Sequence, residues 1–356
     1  MPTVHPSRLR LARELRGKSL VSVRVAIDRT DEAVRQMEAG RIDPSPYLER
    51  FSAIYDVPVS FFYGEEVRPI ERDAVSFRSL RSLGAGSRNK ILGTAAIATQ
   101  YLYPALAERF DLPDVNFLSL DPLGDVPEDP TKAAAALRQF WRIGYSPISS
   151  VLELCERFGV IVFWYSDDSL KSDALSFWFD DRPFVLLNSK PISRQRQNFS
   201  LSHELGHLLL HRFDKPADNA VAEAEANAFA GAFMLPAEGY QADAPRFAIL
   251  EAFLPAKAKW HTSVQTLVMR NASLGLFTQW QVESAFKEIA IRKWRQREPG
   301  DLPPQSSLLH YQVLDAARFK GELPVDVAER SGLNFDVLCE LMPEARIVSN
   351  LGSSVR

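Results

Sequence analysis

Residues 198–211 read NFSLSHELGHLLLH, and this stretch determines how the centre of the chain folds. Its leucines, at positions 201, 205, 208 and 209, recur at helical spacing, so the segment 193–212 is predicted to form a helix with an apolar face. Gly206 has no side chain and therefore leaves room for another backbone to approach this helix closely.

The same helix is predicted to present two imidazoles on one face. His203 and His207 are four residues apart, which places their Cβ atoms about 5–6 Å from each other. Both can then reach one zinc ion at about 2.0–2.1 Å. Glu204 follows the first histidine and is predicted to be the catalytic base that takes a proton from the attacking water. The competing interpretation, a helix with two incidental histidines, is disfavoured by the strands predicted before the motif and the carboxylate-bearing helix predicted after it.

A third protein ligand is needed, because catalytic zinc sites of this type use three. An extended HExxHxxGxxH motif is excluded, since Phe213 stands where its last histidine is required. His211 lies too far along the helix to converge on the same ion and is expected to be a helix-end or supporting residue. Glu223 and Asn227 are four apart on the next helix, so Glu223 could ligate while Asn227 orients an imidazole. Glu225 points about 160° away from Glu223 on a helix turning about 100° per residue and is expected to be a solvated surface carboxylate.

These segments carry a family resemblance. Residues 198–211, followed by EAEANAFAGAFMLP at 223–236, resemble the ImmA/IrrE family of metallo-endopeptidases. The resemblance implies a zincin-like fold, a zinc cofactor and Glu223 as the glutamate ligand. Residues 174–188 also resemble the region that precedes the active helix in that family. By analogy with other zincins, residues 183–188 are either the edge strand that accepts substrate or a plain core strand.

The predicted fold class is α+β. Three aromatic and β-branched runs, at 160–166, 174–180 and 183–189, are predicted to form strands of one small sheet. Helical patterns dominate the rest of the chain. The predicted organisation has four parts: a helix-turn-helix domain at 1–66, a helical linker at 67–130, a zincin-like metallopeptidase domain at 131–243 and a C-terminal helical subdomain at 244–356.

The N-terminal part resembles a helix-turn-helix domain of the Xre/Cro repressor type. The resemblance is carried by Arg8 and Leu11, the MEAG turn at 37–40, Pro44-Ser45-Pro46 and the ending VSFFYG at 59–64. It implies DNA binding in the major groove, and Arg29 and Arg35 are the predicted contacts. Asp31 and Glu32 occupy the first turn of the predicted recognition helix, where acidic residues also suit the helix dipole. The alternative is a degenerate domain used for dimerisation or protein contact.

The bulk properties exclude several classes of protein. Lysine and arginine number 42 against 45 acidic residues, so the net charge of −3 gives no global sign of a polyanion binder. Two cysteines, Cys155 and Cys339, sit in apolar patterns and are expected to be reduced core thiols. No apolar run approaches the roughly 20 residues that span a bilayer. The sequence predicts a cytoplasmic protein.

Two functional hypotheses follow. The segments 76–82, 259–276 and 294–303 resemble companion regions of fused Xre–ImmA/IrrE proteins, which implies a regulatory endopeptidase that cuts a repressor or antitoxin-like regulator. The alternative is a DNA-binding regulator, or the antitoxin of a toxin–antitoxin or phage-related module, with a structural or sensing zinc site. A toxin partner and a homodimer are further expectations. Arg270 lies on a predicted helical stripe with Trp260, Ser263 and Leu267, and it could contact a substrate carbonyl or carboxylate.

Overall fold

The computed structural model describes residues 4–70, 84–118, 126–166, 173–190, 192–212 and 218–353. Helices surround one three-stranded sheet, so the predicted α+β class is confirmed. The segment 76–82, which supports the fused-protein resemblance, lies outside the described residues. Among the helices of the described ranges, none is long and apolar enough to cross a bilayer.

The N-terminal segment forms short helices: α1 (Pro6–Leu15), α2 (Leu20–Ile27), α3 (Asp31–Glu38) and α4 (Leu48–Tyr55). The hydroxyl of Thr30 accepts a hydrogen bond from the amide of Ala33 and starts α3 one residue later. Arg13 and Glu38 form a largely buried ion pair, at 2.6 Å, that joins α1 to α3.

A helical segment within the predicted linker 67–130 is part of the hydrophobic core. It comprises α5 (Ala85–Ile97), a π-helical turn (Ala98–Leu102) and α6 (Tyr103–Ala107). A Cβ at Gly93 would lie 2.9 Å from the backbone nitrogen of Leu15, so this glycine allows α5 to pack directly on the end of α1.

The three predicted strands are confirmed as β1 (Ile161–Tyr165), β2 (Ala174–Phe179) and β3 (Arg182–Asn188). Their order is β1-β3-β2, with β1 parallel and β2 antiparallel to β3. The tight turn between β2 and β3 uses Asp180 and Asp181, whose φ angles of 48° and 58° suit the twist of a two-residue hairpin. Because β3 is paired on both sides, residues 183–188 form a core strand, the second of the two alternatives, and not an edge strand. Strands β1 and β2 occupy the two edges of the sheet.

The sheet separates two hydrophobic cores. Alternate side chains, including Phe163, Phe177 and Phe184, contact the core shared with the N-terminal helices. The opposite face, including Val162 and Val185, contacts the core around the metal-motif helix. The metal-motif helix is α9 (Arg194–Leu210), and three neighbouring helices complete the layer on its side of the sheet: α7 (Pro130–Phe140), α8 (Val151–Arg157) and α10 (Asn219–Met234).

The remaining helices divide between the two cores. On the motif side lie α11 (Ala237–Tyr240), α12 (Leu254–Trp260), α13 (Val264–Ser273) and α14 (Gln279–Ile291). On the other side, against the N-terminal helices, lie α15 (Leu308–Phe319), α16 (Pro324–Arg330), α17 (Phe335–Leu341) and α18 (Glu344–Ser353). The hydrophobic contacts therefore split the segment 244–356 near its Pro/Gly-rich break.

The expected stripe of Trp260, Ser263, Leu267 and Arg270 is interrupted. Helix α12 ends at Trp260, His261 adopts a left-handed conformation with φ of 50°, and Ser263 caps α13. Trp260 therefore belongs to a different helix from Leu267 and Arg270, and the prediction of one continuous stripe is wrong.

Candidate metal centre

Helix α9 carries the predicted motif and is fixed by buried polar side chains. The Asn198 amide accepts from the backbone nitrogen of Val151 at 3.0 Å and donates to the carbonyls of Ser149 and His261 at 3.3 and 3.1 Å. Gln195 and Gln197 bind the backbone of the loop 300–305 in the same way. Since buried amides need partners, these contacts fix the position of the helix against three loops.

The structure brings the three predicted ligands together. The Nε2 atoms of His203 and His207 are 3.1 Å apart, and carboxylate oxygens of Glu223 lie 3.6 Å from each of them. These atoms lie within 4.8 Å of one another. A tetrahedral ion with bonds of about 2.0–2.1 Å places its ligand atoms about 3.3–3.4 Å apart. The three side chains therefore fit a single zinc ion.

Hydrogen bonds to the Nδ1 atoms of His203 and His207 favour the tautomer in which Nδ1 carries the proton and Nε2 is free to bind a metal. The Nδ1 atom of His203 is 3.1 Å from Oδ1 of Asn227, which can only accept. The Nδ1 atom of His207 is 2.9 Å from Nδ1 of His211, whose own Nε2 is 2.9 Å from a carboxylate oxygen of Glu225. If His211 donates to Glu225, its Nδ1 accepts from His207. Both Nε2 lone pairs then point toward the ligand position.

His211 and Asn227 thus contact the imidazoles of His207 and His203, as expected of residues that orient the metal ligands. The expectation for Glu225, a solvated surface carboxylate, is wrong, because this residue accepts a hydrogen bond from the buried side chain of His211. The reason is the length of α9. His211 lies one turn beyond His207, where it meets the face of α10 that carries Glu225 rather than the face that carries Glu223.

Burial also favours a neutral ligand at His203. Burial is the largest influence on the pKa of His203 and lowers it, while the negative charge of Glu204 acts in the opposite direction. A lowered pKa keeps the imidazole unprotonated at neutral pH, and only the unprotonated ring can bind a metal.

Glu204 is buried and held by a partner that the sequence reasoning missed. The hydroxyl of Ser176, on the edge strand β2, donates to Oε2 of Glu204 at 2.6 Å. Two residues along the same strand, the indole of Trp178 donates to the carbonyl of Leu208 at 3.0 Å. The signal was present: Ser176 is the one hydroxyl in the apolar run ALSFWF, on the face of β2 shared with Trp178. Strand β2 therefore fixes both the helix and its carboxylate.

Gly206 determines how closely α10 approaches α9. A Cβ at this position would lie 3.2 Å from Cα of Ala226 and 3.1 Å from a ring carbon of Phe229. The predicted close approach of another backbone is confirmed. Because Glu223 lies three residues before Ala226 on α10, the separation of the two helices at this contact affects the distance of the Glu223 carboxylate from the imidazoles.

The two predicted DNA contacts lie in the N-terminal bundle. Arg29, in the turn between α2 and α3, donates to the hydroxyl of Tyr47 at 2.7 Å and stacks on its ring. Arg35 is exposed on α3 and lies 3.5 Å from a carboxylate oxygen of Glu32.

The close approach at Gly206 leads to a testable prediction. Gly206→Ala should weaken zinc affinity by about tenfold or more, because the added methyl group displaces α10 and with it Glu223. Gly231→Ala is the matched control, since Gly231 is also helical but a Cβ there meets nothing within 4 Å. Competition titration with a chromogenic chelator measures both. Equal affinities for the two variants would contradict this account of the helix packing.

Comparison with known proteins agrees with the geometry. Residues 155–271, about a third of the chain, match the peptidase family model described as the IrrE N-terminal-like domain. The matched range contains all three strands, helices α9 and α10 and most of α13. The chain matches none of the curated proteins. The ImmA/IrrE resemblance is therefore confirmed for this range, which supports a metallopeptidase domain and a divalent metal, whereas the helix-turn-helix resemblance stays a prediction.

Proposed function

We propose that the chain is a zinc-dependent endopeptidase whose ion is held by His203, His207 and Glu223. The observation that carries the proposal is the convergence of these side chains, at 3.1–3.6 Å, beside the buried carboxylate of Glu204. The match of residues 155–271 to a peptidase family supports the same class of reaction.

The side chains of the site have distinct tasks in this mechanism. A bound zinc ion supplies a Lewis acid, which lowers the pKa of a coordinated water to about 7 and polarises the scissile carbonyl. Glu204 takes the proton from the attacking water and delivers it to the departing amine. Ser176 prevents the Glu204 carboxylate from rotating away, since its hydroxyl bonds Oε2. Asn227 and His211 keep the two imidazoles in their ligand orientation.

The proposed substrate is a repressor or an antitoxin-like regulator in the cytoplasm. The support is the N-terminal bundle, which resembles a repressor domain and packs on the same sheet as the peptidase core. A protease joined to such a bundle suits selective cleavage of a DNA-bound or operon-linked partner better than general digestion.

The catalytic claim is tested with the regulators encoded beside this chain as substrates. Glu204→Gln should abolish cleavage while zinc stays bound, because the amide cannot accept the proton. Ser176→Ala should slow cleavage by about tenfold, the effect of one hydrogen bond to a charged group. Cleavage is followed by mass spectrometry of the products.

Ser202→Ala is the control for the serine, since among the described residues its buried hydroxyl bonds only the carbonyl of Asn198, on the same helix. Its rate should equal that of the unmodified protein. Undiminished cleavage by Glu204→Gln would rule out the proposed role of that residue.

A second function, DNA binding, is favoured by the N-terminal geometry. Helices α2 and α3 are joined by a three-residue turn in which Asp28 is left-handed, with φ of 57°. Arg35 is exposed on α3, the helix that would enter the major groove. We therefore propose that the bundle binds DNA. A regulator or antitoxin whose zinc site serves sensing remains the alternative to a peptidase.

The DNA proposal has a matched pair of variants. Arg35→Ala should weaken binding to the DNA upstream of the chain's own gene by about tenfold, as expected for loss of one specific contact. Arg10→Ala should leave it unchanged, because Arg10 is equally exposed and locally ion-paired but lies on α1. Fluorescence anisotropy at fixed salt measures both. Equal effects of the two substitutions would show that α3 does not read the DNA.

A further inference from the structure

A cleft lies beside the candidate metal centre. It has a volume of about 610 Å³ and is bounded by helices α9, α10 and α13. Asn227, which holds the ring of His203, is one of the lining residues, so the cleft adjoins the metal position. Apolar side chains, among them Phe199, Met269 and Phe286, form much of its wall. The cleft can therefore hold a segment of peptide next to the ligands.

The charged group that stands out in this wall is Arg270. Its residue is only 7% exposed, yet within the described ranges no carboxylate lies within ion-pair distance of it. Its Nε donates to the carbonyl of Leu235 at 2.9 Å and its Nη1 to the hydroxyl of Ser273 at 3.3 Å. These are two of the five N–H groups of a guanidinium. The others have no partner among the described residues.

A second buried arginine shows what a purely structural role looks like. Arg138, 2% exposed, uses Nε, Nη1 and Nη2 to donate to three backbone carbonyls, those of Gly144, Phe233 and Ser146. All three of its nitrogens are satisfied by the backbone. Arg270 differs because its Nη2 donates to no described group and because the residue lines an open cleft.

The electrostatics of the cleft favour an incoming anion. Burial lowers the pKa of Arg270, and the exposed carboxylate of Glu238 raises it without forming an ion pair. Arg196 adds a second positive charge at the wall, and Asp173 supplies a negative one. A carboxylate that docks on a guanidinium shielded from bulk water makes strong, charge-assisted hydrogen bonds.

We propose that this cleft binds the substrate peptide through a carboxylate that pairs with Arg270. Leu235, whose carbonyl accepts from Arg270, follows the last residue of α10 and lies eight residues beyond Asn227, about 12 Å along the helix axis. An extended peptide advances about 3.3 Å per residue. The carboxylate is thus expected some three or four residues from the bond that is cut. This inference about the substrate rests on the proposed peptidase function.

Such a carboxylate has two sources, an aspartate or glutamate side chain or the free C-terminus of the peptide. Three sets of short peptides separate them. In the first, a single glutamate is moved through an otherwise neutral sequence that is blocked at both ends. In the second, glutamine replaces it. The third keeps glutamine but has a free C-terminal carboxylate.

Binding is measured by fluorescence anisotropy on the full-length Glu204→Gln protein, with and without zinc. One of the carboxylate sets should bind about tenfold more tightly than the glutamine set, as expected for a hydrogen bond to a charged group. Arg270→Met should reduce the ratio of the affinities for the carboxylate and glutamine peptides to about one. Arg270→Lys, which keeps the charge, should retain part of this preference. Arg196→Met, which removes the other positive charge of the wall, is the control and should lower the preference for carboxylate peptides much less than Arg270→Met does.

The outcomes separate this inference from the proposed function. Cleavage and zinc binding without any preference for carboxylate peptides, or no measurable binding of any peptide, would overturn the inference alone. A preference that Arg196→Met abolishes and Arg270→Met does not would overturn the assignment to Arg270. If the protein neither binds zinc nor cuts peptides, yet prefers carboxylate peptides in a way that depends on Arg270, the proposed peptide-binding cleft would be supported and the proposed peptidase function would be contradicted.

Discussion

Two imidazole nitrogens, Nε2 of His203 and Nε2 of His207, lie 3.1 Å apart with a carboxylate 3.6 Å from each. Each ring has its Nδ1 hydrogen-bonded elsewhere, so both Nε2 lone pairs point into the same small space. Two lone pairs in such contact repel unless a cation lies between them. Much of the surrounding structure serves to hold this arrangement: the packing at Gly206, the relay through His211 to Glu225 and the amide of Asn227.

The sheet connects this arrangement to the rest of the chain. Neighbouring residues of β2 point to opposite faces, so Ser176 holds Glu204 while Phe177 packs in the core shared with the N-terminal and C-terminal helices. Strand β2 therefore contacts both the Glu204 carboxylate and the core that includes the N-terminal helices. The buried Glu156 of α8, on the motif side, accepts hydrogen bonds from Ser307 and from the amide of Leu309, and so joins α8 to α15 on the other side.

Local patterns in the sequence predict much of the site. Helical spacing is enough to place His203 and His207 on one face and to choose Glu223 over Glu225, because a helix turns by a fixed angle per residue. The strands are equally visible as aromatic and β-branched runs. The strand order is not visible, since pairing between distant segments leaves no periodic trace, and the sequence therefore left open whether residues 183–188 form an edge strand or a core strand. Ser176 and the Glu225–His211 contact were missed for the same reason, as each joins residues from different elements. The division of residues 244–356 between two cores likewise depends on packing that only the folded chain defines.

We propose above all that Glu223, and not Glu225, completes a zinc site with His203 and His207. Zinc K-edge X-ray absorption on the purified protein and on two alanine variants tests it most directly. The account predicts one zinc per chain bound by two imidazole nitrogens at about 2.0–2.1 Å and by oxygen. The protein-derived oxygen should be lost in Glu223→Ala and kept in Glu225→Ala. A protein without stoichiometric zinc, or a site that survives Glu223→Ala and collapses in Glu225→Ala, would contradict it.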